Sequence, residues 1–217
     1  RGVIIQAIYR SNFVLFGLPL TVSVFGDVAS SVAAMVVTVV ITIYNTTSVV
    51  ILEMFNSEGK TDVKTILVNV VKNPLLQGAM VGLVFFFLGI HVPKSLLTPI
   101  AAFADATSPV ALFVLGGTLH FNAIRGNLKY LVPALSLKLL VLPAVMLALG
   151  YAFGLRDLEL FLLVAIYGTP VAAASYPMAQ NMGGDGELAG QFVVISTVVA
   201  VGTLFGWIFF MKSVGLI

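Results

Sequence analysis

Residues 160–182 read Leu-Phe-Leu-Leu-Val-Ala-Ile-Tyr-Gly-Thr-Pro-Val-Ala-Ala-Ala-Ser-Tyr-Pro-Met-Ala-Gln-Asn-Met. The stretch holds no charged side chain, and as a helix rising ~1.5 Å per residue it reaches across a hydrocarbon core of ~30 Å. Gly168, Thr169 and Pro170 nevertheless interrupt it near its middle, and Ser175 and Pro177 follow. Proline removes one hydrogen bond from the helical ladder, and its ring blocks a second carbonyl, so neighbouring backbone groups become free to face a ligand. Lipid cannot satisfy such groups, so a break at membrane depth has to be buried in protein or line a cavity.

Six other apolar segments accompany this one: Val3–Phe25, Val28–Leu52, Pro74–Ile90, Ser95–Phe121, Leu131–Leu155 and Leu188–Met211, one of them slightly short for a full crossing. Hydrophobic residues fill 59% of the chain and charged residues 9%, against ~25% charged in a soluble domain. A soluble reading therefore fails. Membranes admit only helices and closed barrels, and barrel strands alternate in polarity, which none of these segments does. The expected fold is all-α: a polytopic membrane protein with seven transmembrane helices.

The chain also matches itself, without gaps, at an offset of 158 residues. Pro19 falls on Pro177, Gly26 on Gly184, Asp27 on Asp185, Val36 on Val194 and Val40 on Val198, with Gly17 opposite Ser175 and Thr38 opposite Ser196. The segment Val3–Phe25, which carries Asn12, Gly17 and Pro19, is thus the counterpart of the broken segment 160–182. An odd number of spans separates the two copies, so they cross the membrane in opposite directions, the inverted-repeat architecture of many secondary transporters. Residues 74–217 form a complete five-helix repeat, residues 1–55 end the preceding one, and residues 56–73 link them. The repeat predicts three further helices before residue 1 and a parent of roughly 300 residues with ten spans. Transporter sites are built at paired helix breaks near the midplane, which makes Asn12, Gly17, Pro19, Thr169, Pro170 and Ser175 the candidate substrate-binding residues.

Two charges lie deep in the predicted spans. Lys138 and Asp105 sit seven and ten residues into their segments, ~10–15 Å from the start, where a charge costs at least ~2.5 kcal/mol and is paired or lines a cavity. Lys138 is expected to meet an anionic ligand, carbonyls freed at the breaks, or a carboxylate such as Asp105, the candidate coupling or ion-pair residue. Asn45, Thr46, Thr47 and Ser48 form a polar group better suited to hydrogen bonding between helices than to ligand contact.

Other chemistries find little support. The chain has no cysteine, and His91 and His120 are too few and too far apart for a metal site, so neither metal nor cofactor is expected. The net charge of +2 is too small to imply a nucleic-acid partner. Residues 183–187, Gly-Gly-Asp-Gly-Glu, lack the Lys-Ser/Thr of a phosphate loop and read as a turn in which Asp185 caps the next helix. A retinal protein would need its lysine on the last span, a hydrolase would need a nucleophile beside a base, and a channel stays open because broken helices also line pores. Lys and Arg at the span ends divide six against three, which puts the 56–73 loop and Arg125 in the cytoplasm and Lys94, Arg156 and the C-terminus outside. Within that loop Val63, Ile66, Leu67, Val70 and Val71 share one helical face, as in a helix lying on the membrane surface. Tyr130, Tyr151 and Trp207 are placed near span ends, as interfacial rings.

Asn12 followed by Gly17-Leu18-Pro19-Leu20, Lys138 ahead of Leu139, Leu140 and Pro143, and Pro170 through Ala179 with Asp185, Glu187, Leu188 and Ala189 stand in one order along the chain. In these residues it resembles the auxin efflux carrier family, which includes plant auxin exporters and bacterial malate or malonate permease-like proteins. The resemblance spans essentially the whole chain. It implies ten helices as two inverted five-helix repeats whose fourth and ninth helices cross at their breaks, here Val3–Phe25 and 160–182. It further implies a small organic anion, a carboxylate such as malate, malonate or an auxin-like acid, held around Asn12 and the crossing. The implied transport is secondary active, across the cell membrane, by an elevator-like shift of a core domain. A coupling proton or sodium ion and a homodimer are further expectations. This sequence departs from a symmetric site in placing Pro170 rather than Asn opposite Asn12.

Overall fold

The computed structural model describes residues 1–56, 68, 71–72, 74–90, 92–118 and 121–217. Among them every regular element is a helix. The chain opens with α1 (Gly2–Tyr9), a π-helical turn over Phe13–Gly17, α2 (Leu18–Phe25) and α3 (Val28–Asn56). It continues through α4 (Pro74–Phe87), α5 (Lys94–Thr118) and α6 (Phe121–Ser136). A second π turn, Leu137–Val141, leads into α7 (Leu142–Ala152), and α8 (Asp157–Gly168), α9 (Ser175–Asn181) and α10 (Gly186–Ser213) complete the chain. The surface helix expected over residues 63–71 falls largely outside the described residues, as do Lys60, His91 and His120.

Three helical stretches among the described residues are long and apolar enough to cross a membrane: Val28–Phe55, Ile124–Ala152 and Gly186–Ser213. The first broken segment consists of α1 and the shorter apolar helix Phe13–Phe25, the second of α8 and α9. The starts of α3 and α10, Val28 and Gly186, lie 158 residues apart, the same offset at which the sequence matches itself. Asp185 caps α10 as expected, its Oδ1 accepting the Leu188 N–H at 2.9 Å.

Both π turns precede a Leu-Pro pair. Pro19 and Pro143 stand in the first turn of α2 and α7, where a missing N–H is tolerated, and the wider π turn ahead of each relieves the clash a proline ring makes with the carbonyl four residues back. The first break consequently lies upstream of the expected Gly17–Pro19: helix passes continuously through those residues, and the chain leaves it at Arg10–Asn12.

Among the described residues two large apolar cores stand apart, beside a small cluster of Leu139, Ala200 and Leu204. One gathers Val3 and Ala7 of α1, Val49 and Leu52 of α3, Leu131 of α6, Met178 and Ala179 of α9 and Phe192 of α10. The other gathers Phe13, Ala33 of α3, Leu147 of α7, Leu160, Phe161 and Val164 of α8 and Met211 of α10. The halves of each broken segment belong to different cores, so the non-helical residues at the breaks form the junction between them.

Candidate functional site

The two breaks meet. Arg10 has extended backbone (φ −80°, ψ 115°), as does Thr169 (φ −72°, ψ 155°), which the following proline holds out of the helical region. Ser11 and Val171 form an antiparallel bridge, and the Asn12 N–H donates to the Pro170 carbonyl at 2.7 Å. These last two residues stand 158 residues apart, the offset at which the sequence matches itself.

The backbone groups released by the second break are answered from outside it. Pro170 has no N–H to give the Ile166 carbonyl; the Tyr44 hydroxyl of α3 donates there instead, at 3.3 Å. The Val171 N–H, which a continuous helix would direct to the Tyr167 carbonyl, goes to Ser196 Oγ of α10 at 3.0 Å. The Tyr167 oxygen is thereby left for Lys138, whose Nζ lies 3.5 Å from it and 2.5 Å from Ser11 Oγ. Lys138 is 0% exposed and stands in the second π turn. A π turn brings one more residue into a helical turn than an α turn does, a departure frequent at functional sites. Through this one ammonium, α6–α7, the first break and the second break are joined. Of the three partners expected for Lys138, a freed carbonyl is present, accompanied by the Ser11 hydroxyl. Asp105 is exposed on α5 and is not among them.

The remaining candidates divide. Thr169 and Ser175 are buried at either end of the second break, and among the described residues their hydroxyl oxygens have no hydrogen-bond partner. Pro170 is buried between them. Asn12 is half-buried, its N–H and C=O engaged with Pro170 and Phe16, while its side-chain amide takes no partner among the described residues. Gly17 is buried one helical turn away, where a Cβ would overlap the Phe13 ring, and its carbonyl accepts from Thr21 Oγ1 at 2.7 Å. Its role is close packing. Pro19 is exposed on α2, outside the cluster.

Arg10 belongs to the junction and is not marked out by the spacing arguments that find Lys138. It is 5% exposed. Its Nη2 donates to Asn45 Oδ1 at 2.8 Å and its Nη1 to Ser48 Oγ at 3.1 Å and to the Met178 sulfur. Ser48 also shares a hydrogen bond with the Tyr9 hydroxyl at 2.6 Å. Asn45 and Ser48 of the polar group on α3 thus bond between helices, as expected, with Arg10 as their object, whereas Thr47 donates back to the Ile43 carbonyl of its own helix. The signal that could have found Arg10 is an arginine followed by Ser-Asn inside an otherwise apolar segment, opposite Gly168-Thr169-Pro170 in the repeat.

Two buried cations, hydrogen-bonded only to neutral groups among the described residues, thus stand beside unpartnered hydroxyls at the meeting of two broken helices. Residues 1–208 match the family model described as Membrane transport protein. The chain belongs to that family, the auxin efflux carrier family that its sequence resembles, and is a multi-pass membrane protein. Over 147 residues it is 29% identical to a protein of Rhizobium meliloti (strain 1021) named "Putative malonate transporter". That match covers 65% of this chain and 44% of the relative, so the matched region spans less than half of the relative's length.

Proposed function

We propose that this chain is part of a secondary active transporter of small organic anions, carboxylates of the size of malate or malonate, which pass at the paired breaks. The observation that carries this reading is Lys138: wholly buried, placed where both breaks can be touched at once, and bonded to a hydroxyl and a carbonyl rather than to an acid. A buried cation without a counter-charge is costly in a membrane, and an anionic cargo removes that cost while it is bound. Asn12, Thr169, Pro170 and Ser175 line the place where such a cargo would lodge.

The wider architecture belongs to the same proposal. The chain supplies seven spans of a ten-helix inverted repeat, the two broken segments crossing at their breaks. The shared helix starts and the bond between repeat counterparts Asn12 and Pro170 support it. The element that shifts contains both breaks and moves elevator-fashion against a scaffold, driven by a proton or sodium gradient, in a homodimer of the cell membrane. The loop over 56–73 is cytoplasmic and the C-terminus external.

Flux measurements test the reading. The full-length protein in proteoliposomes, offered radiolabelled malonate, malate and an indole carboxylate under imposed pH and sodium gradients, is expected to accumulate at least one of them against its gradient. Flux no greater than that of empty vesicles for the whole panel would refute it, and currents of channel size without gradient coupling would replace it with a pore.

A further inference from the structure

A groove of about 830 Å³ lies between α7 and α10, and no residue of either break lines it. Its walls are two helical stripes: Ala144, Ala148 and Tyr151 on α7, spaced i, i+4 and i+7, and Trp207, Phe210 and Val214 along and just past α10, spaced i, i+3 and i+7. Such stripes follow the helix axes, so the groove runs with the spans for ~10 Å, most of the depth of one ~15 Å leaflet. Ala144 and Ala148 are exposed, and their methyl groups leave room that longer side chains would fill. The inner end is apolar, because the Trp207 N–H is already bonded to the Leu139 carbonyl.

The other end is charged. Arg156 and Asp157 line it, at the turn from α7 into α8. Arg156 is fixed there by the end of α7: its Nη1 donates to the Tyr151 and Leu155 carbonyls at 2.9 and 2.7 Å, and its guanidinium lies 4.0 Å from the centroid of the Tyr151 ring. Both hydrogens of Nη1 are thereby engaged. The Nε and Nη2 N–H groups have no acceptor among the described residues, and they share the edge that takes a phosphate in a bidentate pair. The Asp157 carboxylate likewise has no hydrogen-bond or ion-pair partner among the described residues.

A multi-pass membrane protein meets phospholipid on such a face, and a groove that is charged at a span end and apolar below it has the polarity of a headgroup over its acyl chain. A purely anionic head would satisfy Arg156 but be repelled by Asp157 and by Glu159 in the same helical turn. A head with an ammonium beside its phosphate answers both signs. We propose that the groove seats one acyl chain of such a phospholipid, phosphatidylethanolamine in type, with its phosphate on Arg156 and its ammonium on Asp157. This goes beyond the transport reading and does not depend on it.

Trp207 is the single tryptophan of this chain and reports on the inner end of the groove, since bromine on an acyl chain quenches indole fluorescence only at contact. The full-length protein in phosphatidylcholine nanodiscs is given, as a minor component, brominated phosphatidylethanolamine or brominated phosphatidylglycerol with identical chains. The Trp207 signal is the difference from Trp207→Phe. At equal content the ethanolamine lipid is expected to quench it at least about three-fold more than the glycerol lipid. Arg156→Gln should lower quenching by both lipids, Asp157→Asn should bring the two together, and Ala148→Phe should abolish quenching by filling the groove with no change of charge. All three positions are exposed, where substitution is tolerated. Equal quenching by the two lipids in the wild type overturns the proposal and makes the groove ordinary lipid contact. Stronger quenching by the glycerol lipid overturns it in favour of a bare anion patch at Arg156, and a gap that survives Asp157→Asn overturns the headgroup assignment. Absence of quenching by either lipid also overturns it, because the groove is then covered by protein, another segment of the full-length chain or a second copy.

Discussion

The indole N–H of Trp207 donates to the carbonyl oxygen of Leu139 at 2.9 Å. Leu139 lies four residues before Pro143, so its carbonyl is the one that Pro143 deprives of a helical partner. Trp207 is therefore turned inward onto a gap in the helix that carries Lys138, rather than serving only as an interfacial ring. Trp207→Phe keeps most of the ring and leaves a buried acceptor unpaired, and is expected to lower stability by about 1–3 kcal/mol. Pro143→Ala restores an N–H that can close on Leu139, so in that background the Trp207→Phe cost should shrink by at least ~0.5 kcal/mol. Unfolding of the four proteins in detergent measures the coupling, and strict additivity would show that the two residues do not share this carbonyl.

Ser196→Ala removes the acceptor of the Val171 N–H from a position that is 0% exposed. A cost of about 1–3 kcal/mol is expected, with an added effect on transport. The released N–H can return to the Tyr167 carbonyl, drawing it from Lys138. Ser196→Cys, which keeps a weak acceptor, should fall between the two. Unfolding midpoints and flux, measured side by side, separate these effects; identical stability in all three proteins would contradict the assignment.

For Lys138, replacement by Met keeps much of the apolar stem and deletes the charge. Folding should survive, because the partners left behind, Ser11 Oγ and the Tyr167 carbonyl, are neutral, while carboxylate flux should fall by at least about ten-fold. Ser11→Ala, which leaves the charge and removes one of its acceptors, should have a smaller effect. Wild-type flux in Lys138→Met at equal abundance would make this lysine purely structural.

Asn12 offers a different contrast. Its bond to Pro170 is made by the backbone, so Asn12→Ala should leave stability within about 0.5 kcal/mol of wild type. The side-chain amide, free among the described residues, is the part available to cargo, and its loss should weaken substrate affinity by about 1–3 kcal/mol. Binding and unfolding of one purified variant test both statements, and a large loss of stability with unchanged affinity would reverse them.

Much of this site is legible in the sequence, and the illegible part has a common cause. Prolines and glycines announce broken helices because their effect is local: Pro170 fixes its neighbour wherever it occurs. Lys138 is visible because its depth can be counted in residues. What compensates a break is not local. Tyr44, Ser196 and Trp207 satisfy carbonyls and an N–H more than twenty residues away in sequence, and nothing in their own neighbourhoods foretells it. The first break was displaced for a related reason. Gly17 and Pro19 look like breakers, but a π turn absorbs the proline and Gly17 seats the Phe13 ring. The actual departure, at Arg10–Asn12, is fixed by pairing with the second break. Asp105 shows the limit of counting depth, since a position along a helix does not say which way the side chain faces.

The tie between Asn12 and Pro170 runs from an amide nitrogen to a carbonyl oxygen, and neither atom changes when a side chain is exchanged. Pro170 can contribute only its oxygen to such a tie, having no N–H with which to pair in another register. The crossing is thus held by atoms common to nearly every amino acid, while the proposed cargo would be read by the side chains of Asn12, Thr169, Ser175 and Lys138. On the transport proposed above, preference for one acid over another would be rewritten residue by residue with the crossing intact, and new specificities would be reached by single substitutions.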